Sequence, residues 1–346
     1  MKLLALGRLP ANPLVSVIVT NYNYQKYVAE CLMSISVQTY RHIEAIICDD
    51  GSTDGSERML RSIVAKHGNW VLLEKSNGGH ASALSAAYER VKGDVICLLD
   101  ADDAWKATKV ERVVAAFIRD QEAGVCIHRL TPIDARGLSV GPPLPYALDE
   151  GWVWKQALTR GGVSNMPPCS GIAIRREVAD AIFPIPAELR RFADGYVSGC
   201  AKFISKVTTV QSTEGMYRLH TSNATGFVNV TEAHIIRIMN DYKELMTQES
   251  AFLEKWDGTE GHATLRLEDN TEYANYCLAL HLFTGRHVDN EELRTLVGRC
   301  GGERRKAVWR LLYRLPRSIS VSLLRTWWGR GWAKRTIARL GIRVGN

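Results

Sequence analysis

Four stretches of the chain gather polar side chains able to hold a charged ligand: Thr20-Asn21-Tyr22-Asn23, Asp49-Asp50-Gly51-Ser52, Ser76-Asn77-Gly78-Gly79 and Asp100-Ala101-Asp102-Asp103. The last places three carboxylates within four positions. Acids this close repel one another unless a cation sits among them, and their hard oxygen donors suit Mg²⁺ or Mn²⁺. Such an ion commonly keeps open positions for phosphate oxygens. The chain contains neither GxxxxGK[ST] nor GxGxxG, so a diphosphate is expected on the metal rather than in a P-loop or dinucleotide loop. Taken alone, an Asp-rich turn reads equally well as an acidic strand end that caps the next helix.

The four polar stretches follow short β-branched runs: Val15–Thr20, Glu44–Asp49, Val71–Leu73 and Asp94–Leu99, with a fifth run at Val125–Ile127. Between them apolar residues recur at helical spacing. Val28, Leu32 and Ile35 mark one face, Met59, Leu60, Ile63 and Val64 a second, and Ala81, Leu84, Tyr88 and Val91 a third. Strand, helix and strand in alternation predict an α/β fold, a mainly parallel sheet covered by helices on both faces. Ligands of such sheets bind past the carboxyl ends of the strands, so five acids (Asp49, Asp50, Asp100, Asp102, Asp103) are expected on one rim. Residues 131–170 are rich in Pro, Gly and Trp and read as long loops forming a lid or binding wall. Beyond a boundary placed between 228 and 235 the pattern turns helical.

Composition bounds the rest. A 346-residue chain that is 46% hydrophobic and 23% charged is neither disordered nor a small disulfide scaffold. No apolar window reaches the length of a membrane span, and Met1–Arg8 is too short and too early in charge for a signal-peptide core, so the chain is expected neither to span nor to be exported. Eight cysteines without a CxxC pair point to a reducing cytoplasm and no zinc. The net charge of +7 is uneven, because 304–346 carries twelve Lys/Arg, no acid and four of the nine tryptophans, leaving 1–303 at −5. Cations interleaved with interfacial aromatics favour an anionic membrane surface, and the competing reading is a helical packing arm with a solvated basic face. An acidic body without a groove-reading motif argues against nucleic acid.

The combination is far more specific than its parts. Val15–Asn23 (VSVIVTNYN), Ser36–Tyr40 (SVQTY), Asp49–Asp54 (DDGSTD), Asn77–Ala83 (NGGHASA) and Gly93–Asp103 (GDVICLLDADD) occur in that order. The set closely resembles the family 2 glycosyltransferases, bacterial enzymes of GT-A fold that move a sugar from a nucleotide diphosphate donor with inversion. The resemblance covers about residues 14–225. It implies a GT-A catalytic domain over 1–230, with a nucleotide-binding half at about 14–130 and an acceptor half at about 131–230. A helical region over 231–346 follows, with the basic tail at its end.

The resemblance also implies roles. Thr20 and Tyr22 look like the pair that packs on the base, Asp50 like the acid that accepts a base N–H, and Asn77 belongs to the same nucleotide-binding set. Asp100 and Asp102 resemble the DxD motif that meets ribose and metal, with Asp103 beside it as a further metal residue, binding the ion directly or through one of its ligands. Ser170 and Gly171 open a small-residue strand that lines the donor and acceptor pocket. Arg191-Phe192-Ala193-Asp194-Gly195-Tyr196 resembles the base-bearing segment, with Asp194 as catalytic base. Ala193 stands where the family usually has an acid, and a helix N-cap is the bland reading of Asp194. Tyr217–Thr225 resembles the YRxHxxNxS/T stretch, whose histidine, here His220, approaches the metal, and Arg218 is a candidate phosphate contact. His80 reads as a structural residue at a helix start.

The function implied is metal-dependent transfer of a sugar, UDP-linked, to a glycan or lipid-linked acceptor of the bacterial envelope, by a cytoplasmic enzyme peripheral to the inner face of the cell membrane. Two other readings compete: a nucleotidyltransferase, which needs a Gly- and Arg/Lys-rich N-terminal loop that Val15–Tyr24 lacks, and a non-catalytic membrane scaffold, which the presence of Asp50, Asp100, Asp102 and Asp194 opposes.

Overall fold

The structure, a computed structural model, describes residues 2–220, 230–257 and 265–329. Its elements alternate through β1 (Val15–Asn21), α1 (Val28–Ser36), β2 (Ile43–Asp49), α2 (Ser56–Val64), β3 (Trp70–Glu74), α3 (His80–Tyr88) and β4 (Val95–Asp100). Then follow β5 (Ala104–Trp105), α4 (Lys109–Arg119), β6 (Ala123–Ile133), α5 (Trp154–Leu158), β7 (Ile172–Arg175), α6 (Arg176–Ile182), α7 (Ala193–Ile204) and β8 (Lys206–Arg218). The strands form one sheet in the order β3-β2-β1-β4-β7-β6-β8-β5.

Strand residues alternate between two cores. Val15, Val17 and Val19 of β1 face the core built with α1, α2 and α4, while Ile18 faces the core built with α3, α6 and α7. Burial on both faces is why these strands read as nearly continuous apolar runs. The sheet is mainly parallel, as expected, with six of its eight strands running one way and two against them. β1 through β4 pair in parallel, but β7 runs antiparallel to both of its neighbours, β4 and β6, and β5 runs antiparallel to β8. Because β7 is the antiparallel neighbour of β6, it re-enters the sheet at the end where β6 leaves it and needs no crossover, so the 134–171 connection is free to form a long excursion.

The helical region comprises α8 (Glu232–Asp257), α9 (Thr271–Thr284), α10 (Asn290–Arg299), α11 (Glu303–Leu312) and α12 (Arg317–Gly329). α8 sends Leu245, Met246 and Leu253 into the core of α6 and α7, while Ile235, Ile238 and Met239 join a third core with α9 to α12.

In the first part of the tail, two of the aromatics of the anchor expectation pack on the helical region. Trp309 is fully buried and donates Nε1–H to Asn275 at 2.6 Å, Tyr313 donates its hydroxyl to the Leu278 carbonyl, and Arg317 donates to the carbonyls of Leu282 and Phe283. Packed on the helical region with their polar tips hydrogen-bonded to α9, these aromatics are packing residues. The side chains of Trp327 and Trp328, and all of 330–346 with Trp332, lie outside the described residues, as do Thr221–Thr225 of the histidine stretch.

Candidate active site

Register brings the polar strand ends together. Thr20 pairs with Asp100 across β1 and β4, and Asn21 pairs with Asp49 across β1 and β2. Past β4 the chain turns on the Asp103 N–H to Asp100 carbonyl bond, and β5 then runs against Gly215 and Met216 of β8. This sets Asp103 opposite Arg218. Carboxylate oxygens of Asp100, Asp102 and Asp103 all lie within 4.8 Å of one another.

Burial of this cluster raises the Asp100 carboxyl to about 6, reinforced by the charges of Asp102 and Asp194 and opposed by His80. Burial and the neighbouring Asp102 likewise hold Asp103 well above the ordinary carboxylate range. The donor set fits a divalent ion: three hard oxygen groups, crowded enough that their charged forms are disfavoured without a cation. A second set, His80, Asp100 and Cys169, also lies within 4.8 Å. A soft thiol such as that of Cys169 does not suit Mg²⁺ or Mn²⁺, which favour hard oxygen donors. The all-oxygen set is therefore the better cation site.

The acids are held by a frame that includes residues expected to touch ligand. Ser170 is fully buried, donates its hydroxyl to Asp103 Oδ2 at 2.6 Å and accepts the Asp100 N–H at 3.1 Å. It braces the triad from behind and does not line the pocket. Gly171 sits in the 3-10 turn Cys169–Gly171, where a Cβ would come within 2.6 Å of Pro167 Cβ and 2.8 Å of the His128 carbonyl. Close packing of protein against protein requires glycine here, in place of the ligand approach that was expected.

Arg218 is also corrected. Its side chain is 2% exposed, with Nη2 on Glu30 at 2.6 Å, Nε on the Asp102 carbonyl at 2.8 Å, and its plane over the Tyr27 ring. Its backbone N–H donates to Asp103 Oδ1 at 2.8 Å. A guanidinium turned inward to these partners anchors the acid turn and does not reach a phosphate. His220, by contrast, stands at the cluster: Nε2 is 3.0 Å from Asp102 Oδ2, and the ring stacks on Tyr27 and meets Tyr24 edge-on.

On the nucleotide side Tyr22 is 46% exposed and directly follows β1, whose end pairs with Asp49 and Asp100. Thr20 is buried, with its hydroxyl 3.4 Å from Asp100 Oδ1. Asp50 already closes the loop after β3. Its Oδ1 accepts from Lys75 Nζ at 2.7 Å and from Gly78 N–H at 2.9 Å, and Oδ2 accepts from Gly79 N–H at 2.7 Å, leaving room on Oδ2 for one further donor. Asn77 donates to the Asp50 carbonyl and accepts from Arg190 at 3.1 Å. Asp49 leaves the expected rim: its buried carboxylate accepts from Asn21 and from the Ser52 N–H.

Asp194 lies in the first turn of α7, and the N-cap is Phe192, so the capping reading of Asp194 fails. It makes no hydrogen bond or ion pair to the described residues, yet its charge reaches Asp100. Sequence reasoning missed four residues here. His80 stands with Nε2 3.5 Å from Asp100 Oδ1 rather than serving only as a helix start. Tyr24 and Tyr27 cradle His220, and Arg190 meets Asn77. The aromatic spacing of Tyr22, Tyr24 and Tyr27 directly after β1 was the available signal for the tyrosines; nothing local marks Arg190.

An acid turn ending the fourth strand of a sheet in this order, with a base-side rim beside it, defines the GT-A class. Residues 16–183 match the family model for glycosyl transferase family 2. An uncharacterized glycosyltransferase of Nostoc sp. is 35% identical over 217 residues, 60% of this chain and 66% of that protein, so the match covers just under two thirds of that relative. Among solved structures, Staphylococcus aureus TarS 1–349 in complex with UDP-GlcNAc superposes with a TM-score of 0.57 at 18% identity, covering 94% of this chain and 92% of that one. The mannosyltransferase PcManGT of Pyrobaculum calidifontis, in complex with GDP-Man and Mn²⁺, gives 0.53 at 17% identity, covering 95% and 89%. The chain belongs to glycosyl transferase family 2.

Proposed function

We propose that the protein transfers a sugar from a nucleoside diphosphate donor, UDP-linked, to a hydroxyl of a glycan or lipid-linked acceptor in bacterial envelope polysaccharide synthesis, with inversion. The observation that carries this is the opposition of two kinds of acid. Asp100 and Asp102 belong to a crowded oxygen cluster at the end of β4, next to the end of β1 that exposed Tyr22 follows, and Asp194 of α7, bare of hydrogen bonds to the described residues, is close enough for its charge to act on Asp100. Complexes of TarS with UDP-GlcNAc and of PcManGT with GDP-Man and Mn²⁺ support the donor class and the divalent ion.

In this reading Tyr22 stacks on the base, Asp50 accepts a base N–H through the remaining site on Oδ2, and Thr20 and Asp100 meet the ribose. Asp100, Asp102 and His220 would hold Mg²⁺ or Mn²⁺, which when bound supplies Lewis-acid stabilisation to the departing diphosphate. Asp103, Ser170 and Arg218 keep those ligands in place. Asp194 takes the proton from the acceptor hydroxyl as its oxygen attacks the anomeric carbon from the side opposite the nucleotide, and no protonated general acid is needed.

No helix among the described residues is long and apolar enough to cross a membrane. We place the enzyme at the inner face of the cell membrane through α11 and α12. Val308, Leu311, Ile319 and Leu323 are exposed there among Arg304, Arg310, Arg314 and Arg325, an apolar and basic surface suited to anionic lipid. The test of the activity is a screen of nucleotide sugars for hydrolysis with Mn²⁺ or with chelator. Release of UDP from a UDP-sugar only with the ion is expected, and equal release in chelator would overturn the metal assignment.

A further inference from the structure

The segment that leads into Asp194 is held from two sides. On the donor side the Arg190 carbonyl accepts the His80 N–H at 3.1 Å, and Arg190 Nη2 donates to Asn77 Oδ1 at 3.1 Å. Gly79, at φ +89°, lies so close that a Cβ would stand 3.1 Å from Arg190 Cα. On the other side Arg191 forms a two-pronged ion pair with Asp241 of α8, Nε to Oδ2 at 2.8 Å and Nη2 to Oδ1 at 2.7 Å. Planar bidentate pairing fixes orientation as well as distance.

Between the clamp and the base comes Phe192, in the left-handed conformation at φ 59°. A bulky residue rarely adopts this conformation, and it persists where its surroundings over-determine it. Here they do: the Phe192 ring lies 5.3 Å from that of Tyr242, the residue after Asp241, and Tyr242 in turn lies 5.7 Å from Tyr276 of α9. α7 starts directly from this residue, with Asp194 in its first turn.

We propose that Arg191 and Asp241 are positioning residues of the transfer step: their ion pair holds Phe192 in the conformation that launches α7 and so fixes the Asp194 carboxylate relative to the donor loop at Asn77–His80. The helical region thereby completes the active site instead of merely following it. Neither residue touches substrate. The inference rests on Asp194 being the base, and its test separates the two ideas.

Asp241→Asn keeps the shape of the side chain and removes the charge. With the UDP-sugar selected by the screen and Mn²⁺, turnover should fall about 10- to 100-fold, while the dissociation constant of UDP with Mn²⁺ stays within about twofold. Asp241→Glu, which can rebuild the pair, should recover most of the loss. Arg191→Ala combined with Asp241→Asn should be no worse than the poorer single variant. Hydrogen exchange at the amides of 190–196 should quicken in Asp241→Asn while β1 and β4 keep their protection, a readout that needs no substrate. Wild-type turnover and unchanged exchange in Asp241→Asn would overturn the proposal, as would a turnover loss matched by an equal loss of UDP binding. If Asp194→Asn is inactive while Asp241→Asn is fully active, the clamp alone falls; a fully active Asp194→Asn enzyme removes the base and the clamp together.

Discussion

Removing the charge of Asp100 should make the ion-free protein more stable, and the size of the effect follows from the acid cluster. Two charges 4.8 Å apart, the outer limit for this triad, repel by about 3 kcal/mol at an effective dielectric near 20. A cost of similar size, led by burial with the Asp102 charge adding to it, appears in the carboxyl itself, since holding Asp100 at about 6 rather than 3.8 is worth about 3 kcal/mol. The folded value lies above the unfolded one. Between about pH 4 and 6 the folded chain therefore keeps a proton that the unfolded chain has lost, and stability falls as pH rises through that window.

In chelator, wild-type protein should lose about 3 kcal/mol between pH 4 and 7, or about 4 °C of thermal midpoint for a chain of this length. Mn²⁺ at about a hundredfold over its dissociation constant should restore about 2.7 kcal/mol at pH 7.5 and much less at pH 5, where protons compete for the same oxygens. Asp100→Asn should flatten the pH profile in chelator, melt higher than wild type at pH 7.5 and lose most of the Mn²⁺ shift. Thermal melts over pH 4–8, with ion and with chelator, measure all of this. If wild type in chelator gains stability from pH 4 to 6, or Mn²⁺ lifts Asp100→Asn as far as wild type, the triad is not a cation site.

Asp194→Asn should lower sugar transfer about 10²–10⁴-fold with little change in UDP affinity, read by turnover and calorimetry, because the amide keeps the shape but takes no proton. Gly171→Ala should cost about 1–3 kcal/mol in urea unfolding, since the new methyl meets Pro167 and the His128 carbonyl, and retention of wild-type stability would show that the turn yields easily. Leu311→Glu with Leu323→Glu should abolish co-sedimentation with anionic vesicles at low salt without moving the thermal midpoint, as both side chains are exposed; undiminished sedimentation would remove α11 and α12 from the membrane reading.

What was legible in the sequence is what depends on local period. β1, β2, β3 and β4 announce themselves as β-branched runs, and the polar residues that end them fall where a parallel sheet places its ligands. The antiparallel β7 was not legible, because Ile172–Arg175 is a short apolar run whose direction is set by where the preceding loop returns. Side-chain direction was the other gap. Arg218 ends β8 after register shifts between β6 and β8, and those irregularities decide that its guanidinium points inward to Glu30 rather than toward a phosphate. Trp309, Leu312 and Tyr313 did carry a signal: their i, i+3, i+4 spacing marks a packing face, which the density of cations around them obscured.

Hydrogen bonding sorts the acids by task more sharply than sequence position does. Asp50 accepts three donors, and Asp103 has a donor on each oxygen, from Ser170 and from the Arg218 N–H. Carboxylates engaged in this way are held rigid, and with their lone pairs already shared less of each is left for a ligand. Asp100 has only loosely placed partners, the Thr20 hydroxyl at 3.4 Å and His80 Nε2 at 3.5 Å on Oδ1 with the Cys169 thiol nearby, and Asp194 has no hydrogen bond or ion pair among the described residues. The engaged acids thus lie where the chain must be folded back, at the Asn77–Gly79 loop and the β4–β5 turn. The two least engaged lie where a ligand must supply the missing partner, a cation for Asp100 and an acceptor hydroxyl for Asp194. A base left without hydrogen bonds also needs its backbone held by other means, and Arg191 and Asp241 are placed to do that from one residue before the α7 cap.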